Sequence, residues 1–511
     1  MRFASSEHIL EPAEHAADAL ADPCRGNRAA LGLIAAYVLL WWAYAVVAKS
    51  SQSIHFDMGE IFAWSLEPAF GYPKHPPFGV WVVTMWFAIF PRTDWAYYLL
   101  SASCIGVALW FVWLIATEFV SGHKRAAALV LLAFMPGFNF LALKYNPNAL
   151  LVPVWAGATW LFLRSWRERT ALSGALAGLG AAIAMLSKYW SVFLIGGFAV
   201  AVLSDRRRSA YFRSTAPYAA LVVGALAIAP NIASLVHYDF QPFTYATATH
   251  AATSFGPVLT KIGNYLGGLL YLAGPFAVLA LACRPTLAAW RDMLWPREDD
   301  RRFVAVLLWS AFVAPIAVAL AMRAQLDSLW TVSFWAPLPA LLLSSPKIAI
   351  TRRAAAAILV AAYAVSCVAL AIAPAVALLV MWRGVDNSQI YFAPLAQEVD
   401  RLWPTVSDKP LRFVAGEQGL AWGCTFYCRD EPRALPGFLP GESPWIDTAE
   451  MAWRGFVGLC VAGNSGCLAA ARKLAAGNPR LHEETVTVTR TSFGMTAALR
   501  KFTIVLAPPQ G

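Results

Sequence analysis

The sequence predicts an α-helical polytopic membrane protein that ends in a small α/β domain on the non-cytoplasmic side. Three observations predict it. Of 511 residues, 59% are hydrophobic and 14% charged, against about 45–50% and about 25% in soluble chains. Long uncharged stretches recur up to residue 382, and then the chain turns polar. Lysine and arginine fall on alternate connections, as they do when positive charge sets membrane orientation. So few charges exclude an ordinary cytosolic enzyme, a disordered chain and a nucleic-acid-binding domain.

Within lipid, backbone groups must be satisfied by the segment itself, so each crossing needs about twenty apolar residues in a helix. Stretches 29–48, 95–117, 126–143, 216–236, 262–282, 303–321 and 354–382 meet or approach that length. Shorter ones are 148–163, 171–187, 189–203 and 329–343, which makes eleven spans in an expected range of about 11–13. With the N-terminus in the cytoplasm, the cytoplasmic connections hold 20 Lys and Arg and the outer ones 7. The net charge of +10 is therefore a topology signal, and no nucleic-acid partner is expected. Counting 76–91 as a span would invert every later loop; at sixteen residues it reads as re-entrant or interfacial.

The predicted organisation is a cytoplasmic tail over 1–28, a transmembrane domain over 29–382 with an outer loop at 49–94, and a periplasmic domain over 383–511. Acidic residues precede the first apolar run, so the tail is not read as a cleavable signal peptide. In the last domain, strands are expected at 411–416, 456–463, 484–490 and 502–507, and helices near 392–403 and 465–476. Cys424 with Cys428 and Cys460 with Cys467 fit local disulfides, with free thiols or a zinc site as the alternatives.

Chemistry concentrates in the first outer loop. Asp57 and Glu60 are three apart and share a helix face. Lys74 and His75 precede Pro76 and Pro77, which stiffen the chain. The alternative is a set of solvated charges at the headgroup level.

Asp57, followed fourteen residues later by Gly-Tyr-x-x-His-Pro-Pro (Gly71 to Pro77), resembles the first extracytoplasmic loop of glycosyltransferase family 39 and ArnT-like proteins. These are relatives of the protein O-mannosyltransferases and have the GT-C fold. Asn146-Pro147-Asn148-Ala149, Leu186-Ser187-Lys188-Tyr189 and Ala229-Pro230-Asn231 with His237-Tyr238-Asp239-Phe240 look like further family segments, so the resemblance covers roughly residues 30–345. It implies transfer of a sugar from a polyprenyl-phosphate carrier to a lipid, glycan or protein acceptor at the outer face of a bacterial inner membrane. Asp57 matches the family's acid-base aspartate. Lys74, His75 and Lys188 would face the donor phosphate or acceptor, and Glu60, Tyr72, Asn148 and His250 would line the binding site. The chain departs from the family at Met58, Lys74 and Asn148, where many relatives carry acids. No cofactor is required by this chemistry; Glu60, His75 and His250 are a weak divalent-metal candidate. A transporter or lipid flippase is the rival class, predicting ionisable residues deep in the spans and a repeated half. A non-catalytic envelope assembly protein is a third.

Overall fold

The computed structural model describes residues 6–510; residues 1–5 of the predicted tail lie outside them. The chain packs as two compact units. One comprises Met1–Trp42, Lys74–Phe78 and Leu99–Val368, the other Ala43–Pro73, Gly79–Tyr98 and Ala369–Gly511. The first outer loop, which the sequence attaches to the membrane domain, thus packs largely with the C-terminal domain.

The first unit is helical. Among the described residues of the whole chain, six helical stretches are long and apolar enough to cross a bilayer: Gly26–Ala48, Asp94–Thr117, Ala216–His237, Phe255–Cys283, Asp299–Met322 and Arg352–Arg383. Phe78–Phe87 has ten residues, about 15 Å of helix, too short to span, as the reading of 76–91 required. The tail is a helix, Ser6–Ala21. Its Asp18 carboxylate is held by Arg352 and His123, which bring its pKa down to about 2.

Two expected spans are broken. Residues 126–143 form a helix, Lys124–Val130, and then 3₁₀ turns up to Leu143. Pro136 cannot donate to the ladder. Asn139 donates to the Ala133 carbonyl at 3.0 Å and accepts from the Phe140 N–H, so the local polar groups bond one another. Residues 329–343 likewise become a 3₁₀ run, Ser328–Trp335, and a short helix, Leu338–Leu343. The two broken segments meet: a Cβ on Gly137 would lie 2.2 Å from Val332 Cγ1. Irregular backbone at membrane depth is tolerated where protein buries it.

Helix Ala216–His237 is mounted on helix Ala171–Ser187 by small residues. A Cβ on Gly174 or on Gly178 would sit 2.1 Å from the carbonyl oxygen of Ala216 or Ala220. Such close backbone approach is how helices associate without a hydrophobic driving force.

Among the described residues, the second unit is built on seven strands. They are β1 (Phe413–Gly416), β2 (Arg433–Pro436), β3 (Phe456–Val461), β4 (His482–Val488), β5 (Thr491–Ser492), β6 (Met495–Thr496) and β7 (Arg500–Ala507). Five form one sheet in the order β2-β1-β3-β7-β4. The first three are parallel and β7 runs antiparallel to both neighbours. Helices Phe392–Leu402 and Gln418–Tyr427 pack in its main core with Leu395, Val399, Trp422, Val457 and Phe502. Four strands and two helices fall where the sequence places them, and Cys424–Cys428 and Cys460–Cys467 are both disulfides. The sequence reading lacked β2, helices Gln418–Tyr427 and Thr448–Arg454, and the β5–β6 hairpin.

Candidate active site

In the second unit, helix Phe56–Ser65 presents the acids. His55 caps it: its Nδ1 accepts the Asp57 N–H at 3.1 Å and lies 3.5 Å from the Asp57 carboxylate. Asp57 occupies the first turn, where the helix dipole favours the ionised form. Glu60, one turn on, is buried at 6% exposure.

The other side of this helix is clamped by the C-terminal domain. A Cβ on Gly59 would lie 3.3 Å from Trp422 Cβ and 3.4 Å from its carbonyl. Phe62 meets Phe426 edge-on with ring centroids 5.0 Å apart. The flanking loop is tied down as well. The Ile54 N–H donates to Tyr427 Oη, which donates to Asp94. Ser53 Oγ accepts from the Ala393 N–H and Arg490. Arg92 donates to the carbonyls of Thr425, Phe426 and Cys428, covering the end of a helix whose last carbonyls have no internal partner. Tyr72 stacks on Trp64 at 5.3 Å and donates to the Glu67 carbonyl. Burial pushes the Tyr72 phenol above its ordinary pKa, so it stays neutral.

In the first unit, cations collect around short, irregular pieces of chain. Lys188 ends helix Ala171–Ser187 in extended conformation. Its Nζ donates to Asn148 Oδ1 at 2.6 Å and lies 4.9 Å from the Trp330 ring. Asn148 sits in the first turn of helix Pro147–Glu168, capped by Asn146, whose side chain accepts the Ala149 N–H. Lys144, Asn146 and Asn148 line a cavity of about 90 Å³ with Leu329 and Val332.

Helix Gln241–His250 gathers the rest. Lys74 Nζ lies 5.4 Å from the Tyr245 ring, and Phe243 stacks with Tyr189 at 5.0 Å. His250 meets Trp330 edge-on at 5.1 Å. The His250 pKa is lowered, first by burial, then by Lys188 and Lys261, with Asp327 opposing. Two lysines and one carboxylate thus act on His250, and a cation over an aromatic face is attracted by the ring's quadrupole.

The structure therefore brings Asn148, Lys188 and His250 to one locus, and the Lys74 ammonium lies against Tyr245 of the helix that ends in His250. Trp330, Tyr245 and Asp327 are absent from the sequence reading. Asp327 and Trp330 flank the start of an expected span, and nothing in their spacing marks them. Among the described residues, no group of three or more His, Cys, Asp or Glu side chains is placed to hold a metal ion.

Among the described residues, six long apolar helices, broken helices around a polar locus and an α/β domain make up a polytopic membrane protein. Its fold is of the ArnT type. ArnT from Cupriavidus metallidurans superposes with a TM-score of 0.59 in the apo state and 0.56 bound to undecaprenyl phosphate. Both comparisons cover 93% of this chain and 97% of that one, at 13% and 14% identity. Residues 74–233 match the sequence pattern of the dolichyl-phosphate-mannose-protein mannosyltransferase family. Lipid A galacturonosyltransferase RgtD from Rhizobium johnstonii is 21% identical over 304 residues, 59% of this chain and 62% of that protein. The match thus spans somewhat less than two thirds of the relative's length.

Proposed function

We propose that the protein is a multi-pass glycosyltransferase of a bacterial inner membrane. In this reading it moves a sugar from a polyprenyl-phosphate carrier to an envelope acceptor on the periplasmic side. An acceptor hydroxyl attacks the anomeric carbon and forms the new C–O bond while the bond from that carbon to the phosphate oxygen breaks. The hydroxyl proton passes to the Asp57 carboxylate, a step that contributes ~10²–10⁴-fold when the base is well placed. The phosphate departs on its lipid as an anion without being protonated. It needs fixed positive charge, and Lys188 and Lys74, seated on Asn148, Trp330 and Tyr245, are the groups to supply it.

The observation that carries the reading is the seating of Lys188 on Asn148 and Trp330 beside His250. A solvated lysine at a helix end needs no such partners. The ArnT-type fold and the likeness to a lipid A galacturonosyltransferase support the substrate class and make lipid A the first acceptor to test. The proposed chemistry uses no metal, so a chelator should leave transfer unchanged.

The test is mass spectrometry of envelope lipids from cells with and without the gene, complemented by wild type or Asp57→Asn. The expected result is a hexose, pentose or uronic-acid increment that disappears with the gene and returns only with wild type. Full restoration by a membrane-inserted Asp57→Asn variant would overturn the assignment.

A further inference from the structure

The stretch Phe255–Cys283 is among the six apolar enough to cross a membrane, yet Lys261, Asn264 and Tyr271 lie along it. Polar side chains at such positions are expensive in hydrocarbon and normally face a watery cavity. Here all three, with Gly267, Asp327 and Ser328, line one pocket of about 360 Å³. That volume is near the lower end of ligand pockets, ~300–1,000 Å³, and suits one sugar ring better than an oligosaccharide.

The lining chemistry is that of a polyol site. One cation and one carboxylate offset each other, so the pocket carries no excess charge for a phosphate. An amide, a hydroxyl and a phenol add donors and acceptors. Gly267 presents backbone without a side chain. The Asp327 carboxylate is oriented by the Leu329 N–H at 2.8 Å, and Tyr271 donates to Ser328 Oγ at 3.4 Å.

The pocket adjoins the cation locus through the same 3₁₀ segment. Ser328 opens that segment and Trp330, two residues on, meets both Lys188 and His250. His250 feels Lys188 on one hand, and Lys261 and Asp327 on the other. A sugar esterified to a phosphate held at Lys188 would extend this way.

We propose that this pocket seats the sugar ring of the lipid-linked donor and selects which sugar is transferred. The inference rests on the donor reading above, and the experiment separates the two. Binding of full-length detergent-solubilised protein is measured to undecaprenyl phosphate alone, and to undecaprenyl phosphate carrying glucose, galacturonic acid or 4-aminoarabinose. Wild type should bind at least one sugar-bearing lipid about tenfold tighter than the bare lipid. Asn264→Leu should erase that preference while binding of bare undecaprenyl phosphate stays within about twofold. Ser328→Ala, a smaller change, should narrow the preference and keeps the test open if Asn264→Leu misfolds. If no sugar improves binding, or if the variants weaken both kinds of lipid alike, the pocket is not the sugar site and the donor reading stands. If wild type binds neither kind, the donor reading itself fails and the pocket assignment falls with it.

Discussion

The acid-bearing helix Phe56–Ser65 and the lysine-bearing locus around Trp330 are built in opposite ways. The first is a regular helix, capped by His55, buried on all sides from Met58 to Ser65 and pressed against Trp422. The second is assembled from helix ends and 3₁₀ turns, with Lys188 in extended backbone and Trp330 on a 3₁₀ run. The difference teaches where each kind of group can be held. In the proposed reaction a general base acts through one proton at one position, so a rigid helix suits it. A phosphate cradle needs several donors from several directions, which helix ends and broken segments supply and a continuous helix cannot.

That contrast sets the order of expected effects. Asp57→Asn should be the most damaging, lowering transfer by ~10²–10⁴-fold with an unchanged unfolding midpoint, read by product mass spectrometry beside thermal denaturation. Equal loss of transfer and stability would mean that Asp57 serves the fold instead. Lys188→Met should lower turnover by ~10²–10³-fold, the scale for removing one donor to developing negative charge. Lys188→Arg should keep part of that rate, because it retains the charge but not the fit to Asn148. Gly59→Val acts on packing: its side chain would meet Trp422, and an overpacked contact of this kind costs about 1–3 kcal/mol. Denaturant midpoints measure that cost, and a stability equal to wild type would show that the two helices are not in tight register.

The smallest expected effect is a pH dependence. The folded-state His250 pKa lies below its unfolded value of about 6.5, so above that pH both states are neutral and nothing changes. As pH falls below it the unfolded chain takes up the proton first, and stability declines until the folded-state pKa is passed. Wild type should therefore lose more thermal stability than His250→Gln between about pH 7.5 and 5. Parallel curves would show that His250 does not titrate under stress.

What the sequence makes legible follows from what water and lipid each demand. Gly26–Ala48 and Arg352–Arg383 are readable because lipid imposes a length and a composition. Strands β3 and β7 and both disulfides are readable because short alternating or apolar runs and close cysteine pairs are local signals. The broken stretches 126–143 and 329–343 are not, since both are apolar enough to read as spans, while the bonds of Asn139 and the close approach of Gly137 to Val332 exist only in the folded chain. Strand β2 escapes because four edge residues carry little pattern. For the candidate site, Asp57, Lys188 and Asn148 stand in short motifs a reader can find. Trp330 and Tyr245 earn their places only through partners far along the chain, which no single-chain spacing reveals.

The clamping of the acid-bearing helix also fixes a timetable. Glu67 pairs with Arg433, 366 residues further on, and Trp422 is likewise made long after Gly59. During synthesis, residues 43–73 are complete while their packing partners have yet to be translated. The helix that carries Asp57 therefore reaches its final surroundings only when the last quarter of the polypeptide has been made and folded, and a chain cut short before residue 418 lacks the wall against which that helix is set.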